Sequence, residues 1–305
     1  MRRLLLLALT AFALCSCGTG AKAVGEKTES GVMEFRLGSY NLWRSDLGKN
    51  EYEWSLRKEK LARSIVDIGF DVFGIQEVDT TIQRELPGLV EKEGGEYEWF
   101  IFSPYSQDGK GGKAQGIVYR RDRFEMQESH FFWLSPTPEV MSSGWDEMKF
   151  RRGACCTVFK DKQTGLRFFL MMSHMPLGRE ANAKSAPIIL EMAGKYNPEG
   201  LPSFFVGDLN TREERESSAL FRTYWNDTFL TVPEELRTGP KGTFNSHGRN
   251  KVMDEAPRID FIYFRGKGVT PLSYVCYDRM YGETYPSDHC PVYADFRIID
   301  KQLQR

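Results

Sequence analysis

The sequence predicts an α/β (α+β) domain in which mixed β-sheets pack together and helices lie outside them. Strand-like and helix-like stretches alternate from about residue 34 onward, and no internal repeat or Pro/Gly/Ser-rich linker divides residues 34 to 300. Of the 305 residues, 41% are hydrophobic and 27% are charged, which is the composition of a globular protein with a substantial core. We therefore expect one domain over residues 33–305, behind a distinct N-terminal segment.

The N-terminal segment, MRRLLLLALTAFALCSC, has two arginines followed by an apolar run. The run is too short to span a bilayer comfortably and is typical of a secretory signal. Its end, LCSC at residues 14–17, resembles a bacterial lipobox in which the small Ser16 precedes Cys17, the modified residue. Cys15 is the weaker candidate because a leucine precedes it. An uncleaved apolar leader or an ordinary signal peptide is the alternative.

These features predict a lipoprotein signal peptide over residues 1–16 and lipidation at Cys17. The polar, glycine-containing stretch over residues 17–32 is expected to be a flexible tether. Lipid chains on Cys17 would bind the protein to a membrane surface without a transmembrane helix. We therefore expect an exported protein that is anchored to the bacterial cell envelope, at the outer membrane or the periplasmic face.

In the first half of the domain, one helix is expected among six strands. The helix, SLRKEKLARSIVDIG (55–69), places apolar residues among charges and ends at Gly69. The glycine-rich stretch at 104–115 is expected to be an exposed hairpin tip, since it lacks the spacing of a phosphate-binding loop. The predicted strands cover residues 33–43, 71–78, 96–104, 114–125, 130–135 and 152–161.

The second half continues the alternation. A helix is expected from Ala181 to Lys195, with Pro187 marking a kink or a boundary. A charged helix is expected from about Glu213, directly after a strand. The predicted strands cover residues 167–174, 202–210, 258–264, 272–278 and 291–298.

The net charge and the spacing of the cysteines argue against a duplex-binding surface and a zinc site. The net charge of −1 indicates no strongly basic surface for duplex nucleic acid. The domain contains no C-x-x-C, so its cysteines do not have zinc-site spacing, and buried thiols are expected although export permits disulfides. Because adjacent strand residues face opposite ways, at most one of Cys155 and Cys156 is expected to face the core.

Polar side chains recur where the predicted strands end or begin. An isolated asparagine or aspartate there is ordinary turn chemistry, but a whole series of oxygen and imidazole groups is hard to explain by turns alone. Carboxylate and amide oxygens suit Mg²⁺, Mn²⁺ or Ca²⁺, and histidines can donate to a phosphate. The pattern indicates metal-assisted hydrolysis of a phosphoester. The groups are Asn41, Glu77, His174, Asp208, Asn210, Asp260, Asp288 and His289.

In this order and spacing, the strings around these groups resemble the endonuclease/exonuclease/phosphatase superfamily, which has the deoxyribonuclease I-like fold. The resemblance spans roughly residues 34 to 298. It implies a four-layered α/β sandwich, with two mixed β-sheets face to face and helices outside. The matching strings are SYNL (39–42), QEV (76–78), SHM (173–175), GDLN (207–210), GTF (242–244), RIDFI (258–262) and SDHCPV (287–292).

The resemblance also implies a role for each group. Glu77 would be the principal metal ligand, helped by Asn41 and Asp288 directly or through water. Asp208 would orient and deprotonate the attacking water, and Asn210 would position Asp208 and contact the phosphate.

On the phosphate side, the resemblance gives His289 as the donor to the scissile phosphate, with Asp260 fixing its tautomer. His174 would bind the phosphate from the opposite side or assist the leaving group, and Arg152 would add a cationic contact. The family's frequent acid two residues after Asn41 is replaced by Trp43, and the frequent H-L-D-H is replaced by HMPL (174–177). We expect these departures to affect substrate choice more than catalysis.

The sequence thus predicts a phosphoesterase with Mg²⁺, or Mn²⁺ or Ca²⁺, that is a monomer and acts on a phosphodiester or phosphomonoester. Nucleic acid, a phosphorylated small molecule or a lipid head group remains open as the substrate. A sphingomyelinase-like lipid phosphodiesterase and a non-catalytic binding lipoprotein on the same fold are the alternatives. Arg57 is expected on a solvated helix face, and His247 in a loop.

Overall fold

The structure is a computed structural model that describes residues 31–145 and 150–300. Cys17, the signal peptide and most of the tether lie outside the described residues. Val32, which the sequence assigned to the tether, is the first residue of β1. The helices are α1 (Trp54–Ile68), α2 (Thr80–Lys92), α3 (Arg179–Tyr196), α4 (Glu216–Phe221) and α5 (Thr228–Thr231).

The strands form two mixed sheets. The strand order is β10-β13-β14-β1-β2-β4-β3 in the first sheet and β5-β6-β7-β8-β11-β9 in the second. The short β12 also belongs to the first sheet, where it pairs with β14 outside this linear order. Their bounds are β1 (Val32–Asn41), β2 (Val72–Val78), β3 (Tyr97–Phe102), β4 (Ala114–Arg120), β5 (Phe124–Trp133), β6 (Gly153–Asp161), β7 (Arg167–Ser173), β8 (Ser203–Asp208), β9 (Asn226–Asp227), β10 (Arg237–Thr238), β11 (Asp260–Arg265), β12 (Val269–Pro271), β13 (Tyr274–Cys276) and β14 (Val292–Ile299).

The two sheets pack face to face through a core rich in aromatic rings. Phe35 of β1 stacks on Phe168 of β7 with ring centroids 4.8 Å apart, and it meets Phe204 of β8 edge-on at 5.4 Å. Such aromatic pairs contribute about 0.5–1.5 kcal/mol each beyond the area they bury. The outer face of the first sheet is covered by α1 and α2, and that of the second by α3 and α4. This is the predicted four-layered sandwich.

Several element boundaries differ from the prediction. One strand was expected to run through residue 125, but β4 ends at Arg120 and β5 begins at Phe124, so the chain turns between them. Helix α2 was not predicted. It contains Pro87 and Gly88, which are poor helix residues, and Asp79 caps its first turn by accepting from two backbone N–H groups. Pro187 lies inside α3 and does not end it.

The expectation that at most one of Cys155 and Cys156 faces the core is wrong. The two side chains do point to opposite faces of β6, but Cys155 lies between the sheets and Cys156 lies under α3. Both are fully buried because the sheet is covered on both faces. Together with Cys276 and Cys290 they are free thiols.

Among the described residues, no helix combines the length and the apolar character needed to cross a membrane.

Candidate active site

The predicted site residues meet at one edge of the sandwich because of how the strands pair. β1 and β2 are parallel, and so are β7 and β8, so the C-terminal ends of each pair lie at the same edge. β14 is antiparallel to β1, and β11 is antiparallel to β8, so those two strands begin at that edge. Asp260, the first residue of β11, is thereby the direct cross-strand partner of Asp208, the last residue of β8.

The Asp208 carboxylate lies at the centre of the hydrogen bonds. Asn41 Nδ2 donates to its Oδ2 at 3.0 Å, and His174 Nε2 lies 3.4 Å from the same oxygen. The backbone N–H of Asn210 donates to Oδ1 at 3.0 Å. Burial raises the pKa of Asp208 to about 7, the adjacent His289 opposes the rise, and the charge of Asp260 adds to it. A carboxylate with this pKa can both accept and release a proton near neutral pH.

His289 and Asp260 form a buried pair. His289 Nδ1 lies 2.8 Å from Asp260 Oδ2, which also accepts from the Thr243 hydroxyl at 2.6 Å. Burial disfavours the imidazolium, but the carboxylates of Asp260 and Asp208 outweigh it and hold the pKa of His289 well above its usual value. The pair therefore presents a cationic imidazole whose Nε2 side lies 3.8 Å from Asp208 Oδ2.

His174 behaves differently from His289. Burial and the positive charges of Arg152 and His289 hold its pKa well below the usual value, so its imidazole is neutral. Its backbone N–H donates to Gln115 Oε1 at 2.9 Å, and Gln115 in turn donates to the Gly153 carbonyl at 2.6 Å. Gln115, which sequence reasoning missed, thus positions His174 from the neighbouring sheet.

Glu77 takes up an uncommon backbone conformation. Its φ is 58°, in the left-handed region that few residues other than glycine adopt, and the register of β2 against β4 shifts between Ile75 and Val78. A β-bulge of this kind re-aims a side chain at the end of a strand. The Glu77 carboxylate accepts from Asn41 Nδ2 at 3.4 Å and from the backbone N–H of Arg44 at 3.3 Å.

The acidic groups near Asn41 fit a divalent cation. Burial raises the pKa of Asp288 to about 6, the charge of His289 opposes the rise, and the negative charge of Glu77 adds to it. Glu77 and Asp288 thus offer two carboxylates that repel each other, and carboxylate oxygens are the hard donors that Mg²⁺ and Mn²⁺ bind. Asn41 presents its Nδ2 to Glu77, because its Oδ1 accepts from the Trp43 N–H at 3.0 Å, so its amide would have to turn before the oxygen could bind the cation directly.

A second group could also hold a metal ion. Asp208, Asp260 and His289 place candidate ligand atoms within 4.8 Å of one another. Two of these side chains are already hydrogen-bonded to each other, however, through Asp260 Oδ2 and His289 Nδ1. The hydrogen bond between them would have to break before His289 Nδ1 could bind a cation.

Arg57 corrects the sequence expectation of a solvated position. Its side chain is fully buried, and its guanidinium donates to the carbonyls of Leu42 at 2.9 Å, Arg44 at 3.0 Å and Pro286 at 3.0 Å, and also to that of Trp43. It therefore ties the loop after Asn41 to the segment before Asp288. A helix arginine flanked by charges gives no sequence signal of this role.

Gly207 allows β8 to approach β7 closely beneath the site. Its φ is 151°, and a Cβ atom there would lie 1.9 Å from the Ser173 carbonyl oxygen, so only glycine fits. The next residues, Asp208 to Asn210, turn away from the strand, and Asn210 Nδ2 donates to the Met175 carbonyl at 2.9 Å. Asn210 is thus fixed beside the strand end that carries His174.

Arg152 lies on the cleft that opens beside these groups. The cleft has a volume of about 290 Å³ and shares its lining between Arg152, His174 and Glu77. The positive charge of Arg152 is one of the causes that lower the pKa of His174. All of the predicted site residues in the described part of the chain are therefore brought to one edge.

The model of the Endonuclease/Exonuclease/phosphatase family matches residues 38–289. The chain belongs to this family. Members of the family are phosphoesterases. The match includes each of the site residues described above, from Asn41 to His289.

Several solved structures superpose over most of the chain. A family protein from Bacteroides vulgatus is 26% identical, with a TM-score of 0.78 over 88% of this chain and 100% of its own. A mannosyl-6-phosphatase from Bacteroides thetaiotaomicron is 27% identical, with a TM-score of 0.76 over 86% of this chain and 99% of its own. D. rerio TDP2 in complex with a single-strand DNA product is 21% identical, with a TM-score of 0.63 over 86% of this chain and 98% of its own, and shares the fold. A search of curated proteins finds no match.

The departure from the family pattern at Trp43 has a structural counterpart. The Trp43 ring lies 4.0 Å from the ring of His247 and 5.9 Å from that of Tyr52, with the Arg57 guanidinium 4.8 Å from its centroid. An aromatic cluster therefore stands where many family nucleases carry an acid. His247 is in a loop, as expected, and it packs against this cluster.

Proposed function

We propose that this protein is a divalent-metal-dependent phosphoric ester hydrolase that uses an activated water molecule. The observation that carries the proposal is the Asp208 carboxylate, held between Asn41, His174 and the His289–Asp260 pair at one end of an open cleft. A base, a cationic donor and a site for hard-oxygen coordination are the three elements that hydrolysis of a phosphate ester needs.

The roles follow from the contacts. Asp208 orients the water and takes its proton, while the Asn210 N–H and Asn41 fix the carboxylate. His289 donates from Nε2 to a phosphate oxygen, because its Nδ1 is occupied by Asp260. A cationic donor beside the phosphate stabilises negative charge that grows in the transition state. General-base assistance of this kind contributes roughly 10²–10⁴-fold.

Glu77 would hold the metal, with Asn41 and Asp288 directly or through water. When bound, Mg²⁺, or Mn²⁺ or Ca²⁺, supplies positive charge at the phosphate oxygens. Arg152 and the neutral His174 would contact the phosphate from the cleft side, Arg152 by charge and His174 by a hydrogen bond.

A small phosphomonoester is the substrate class that we favour. The cleft volume of about 290 Å³ lies at the low end for small-ligand pockets, which run from roughly 300 to 1,000 Å³. The mannosyl-6-phosphatase relative, by its name, acts on a compound of this size. Single-stranded nucleic acid, a lipid head group cleaved in the manner of a sphingomyelinase, and non-catalytic binding are the other outcomes of the test.

The deciding experiment measures phosphate release from a panel of esters with Mg²⁺, with Mn²⁺ or with EDTA. The panel contains p-nitrophenyl phosphate, bis-p-nitrophenyl phosphate, hexose 6-phosphates, single- and double-stranded DNA, RNA and sphingomyelin. We expect turnover of monoesters that EDTA abolishes and that Asp208→Asn reduces by at least roughly 10²-fold. A folded protein that is inactive on the whole panel would favour the binding alternative.

We further propose that the protein is an exported monomer, anchored to the bacterial cell envelope by lipid on Cys17. The sequence of the N-terminal segment supports this proposal. Expression in a bacterial host should place the protein in the membrane fraction, and Cys17→Ala should release it. Equal distribution of the two proteins would contradict the anchor.

A further inference from the structure

The cleft beside the catalytic edge has more cationic lining than one phosphate requires. Glu77 and His174 contribute to it from the edge, and Tyr105, Lys113 and Arg151 are among the other residues that line it. The last three side chains have no part in the chemistry described above. A substrate whose phosphate reaches His174 can place the rest of its body against them, because they line the same cavity.

Lys113 and Arg151 form no ion pair within 4.0 Å among residues 31–145 and 150–300, and Lys113 is exposed. The acid that the charge of Lys113 acts on is Asp46, whose carboxylate is already paired with Arg44. Arg44 also lines the cleft, but its Nε donates to Asp46 Oδ1 at 2.9 Å, which neutralises it locally. The Arg151 guanidinium carbon lies 5.9 Å from the Tyr105 ring centroid, and its Nε is buried without a hydrogen-bond partner.

Aromatic and cationic groups in one small cleft suit an anionic ring compound. The Tyr105 ring offers a flat surface for the body of the compound, and Lys113 and Arg151 offer charge-assisted hydrogen bonds to an anion. The negative charge of Glu77 in the same lining is balanced by the divalent cation that it would hold, so the cleft as a whole favours negative charge.

We propose that Lys113 and Arg151 form a subsite for a second phosphate, so that the preferred substrate is a small bisphosphorylated compound. The scissile phosphate lies at His289 and Asp208, and the second phosphate lies against Lys113 and Arg151. The proposal rests on the proposed function for the position of the scissile phosphate. The volume of about 290 Å³ suits a bisphosphorylated monosaccharide.

The test compares two probes that differ by one phosphate, fructose 6-phosphate and fructose 1,6-bisphosphate, in excess Mg²⁺. The kcat/KM for each is measured for the unmodified protein, Lys113→Met, Lys113→Arg and Arg151→Met. Arg121→Met is the matched control, since Arg121 is an exposed arginine just beyond the opposite end of β4 and pairs with the surface acids Glu91 and Glu96. Dissociation constants are measured by calorimetry in the Asp208→Asn background, so that binding is read without turnover.

We expect the bisphosphate to be preferred by about 10-fold or more, because a charge-assisted hydrogen bond contributes about 1.5–3 kcal/mol and 1.4 kcal/mol is a factor of ten. Lys113→Met and Arg151→Met should each remove most of this preference, Lys113→Arg should keep it, and Arg121→Met should leave it unchanged. The preference should also shrink as ionic strength rises, since Lys113 is exposed to solvent.

The inference is overturned if the bisphosphate has no advantage in either kcat/KM or binding, or if the advantage survives both substitutions. A protein that hydrolyses neither probe, yet binds the bisphosphate more tightly through Lys113, would uphold the subsite and contradict the hydrolysis of these sugar phosphates, whereas the proposed hydrolase itself is decided by the full panel of esters. Because Lys113 is exposed, its substitution tests the subsite even if Arg151→Met does not fold.

Discussion

Replacing Arg57 by methionine tests whether a buried guanidinium holds the active-site loops together. The arginine donates to backbone carbonyls of Leu42, Trp43, Arg44 and Pro286, at 2.9 to 3.0 Å for three of them. Methionine fills a similar volume but offers no donor. The substitution therefore leaves several buried acceptors without partners on both the loop after Asn41 and the segment before Asp288.

The size of the effect follows from these contacts. An unsatisfied buried acceptor costs about 1–3 kcal/mol, and we take about 1 kcal/mol for each carbonyl because loops can relax and admit water. The cost of burying the guanidinium cation partly offsets the stabilisation by these hydrogen bonds, since burial lowers the pKa of Arg57 to about 10. We therefore expect a net loss of roughly 3 kcal/mol in the free energy of unfolding, which corresponds to roughly 6–12 °C in Tm for a domain of this size.

Thermal unfolding and urea titration measure this loss, with Arg63→Met as the control. Arg63 is on the same helix, its side chain is 59% exposed, and it pairs with Asp67 and Glu93 on the surface. Its removal should change the free energy of unfolding by less than about 1 kcal/mol. Arg57→Lys should recover only part of the loss, because a lysine has no planar fork of donors. If Arg57→Met melts within about 2 °C of Arg63→Met, the carbonyl contacts do not stabilise the protein and the reasoning is wrong.

Three further predictions address the site and its rim. Asp260→Asn should lower kcat by roughly 10²-fold with little change in KM, because His289 loses the charge-assisted hydrogen bond that holds it cationic; a loss below about threefold would contradict the role of the pair. Mg²⁺ should raise Tm by about 5 °C at roughly one hundred times its dissociation constant, and Glu77→Gln should abolish the rise, as read by differential scanning fluorimetry; equal shifts in both proteins would exclude Glu77 as the ligand. Burial and then the charge of Arg249 lower the pKa of His247 from 6.5 to about 4, so the unfolded chain takes up a proton in that pH window before the folded protein does. Stability should therefore fall as pH is lowered from 6.5 to 4, by about 1 kcal/mol more than in His247→Asn, after allowing for the exposed part of the ring; parallel pH profiles of urea unfolding would refute this.

The functional residues at the strand ends could be predicted because each stands next to an apolar run in the sequence. Asn41, Asp208 and His289 each follow or precede an apolar run, and the order of the strings around them is enough to identify the family. The missed groups give no such signal. Gln115 is the second residue of a strand and belongs to none of the strings that resemble the family, and Arg57 is one of several charged residues on an amphipathic helix.

Residue type and periodicity along the chain predicted mixed sheets with helices outside, the polar groups at the strand ends and the suitability of those groups for hard cations and phosphate. The four-layered sandwich was implied by the resemblance of the strings to a known family. Only the tertiary structure decided which imidazole is charged, because two carboxylates face His289 whereas burial and Arg152 act on His174. It also decided that Arg57 is buried and that Lys113 and Arg151 line the same cleft as His174. Burial and the distance between charges depend on which distant segments pack together, and no local pattern in the sequence specifies them.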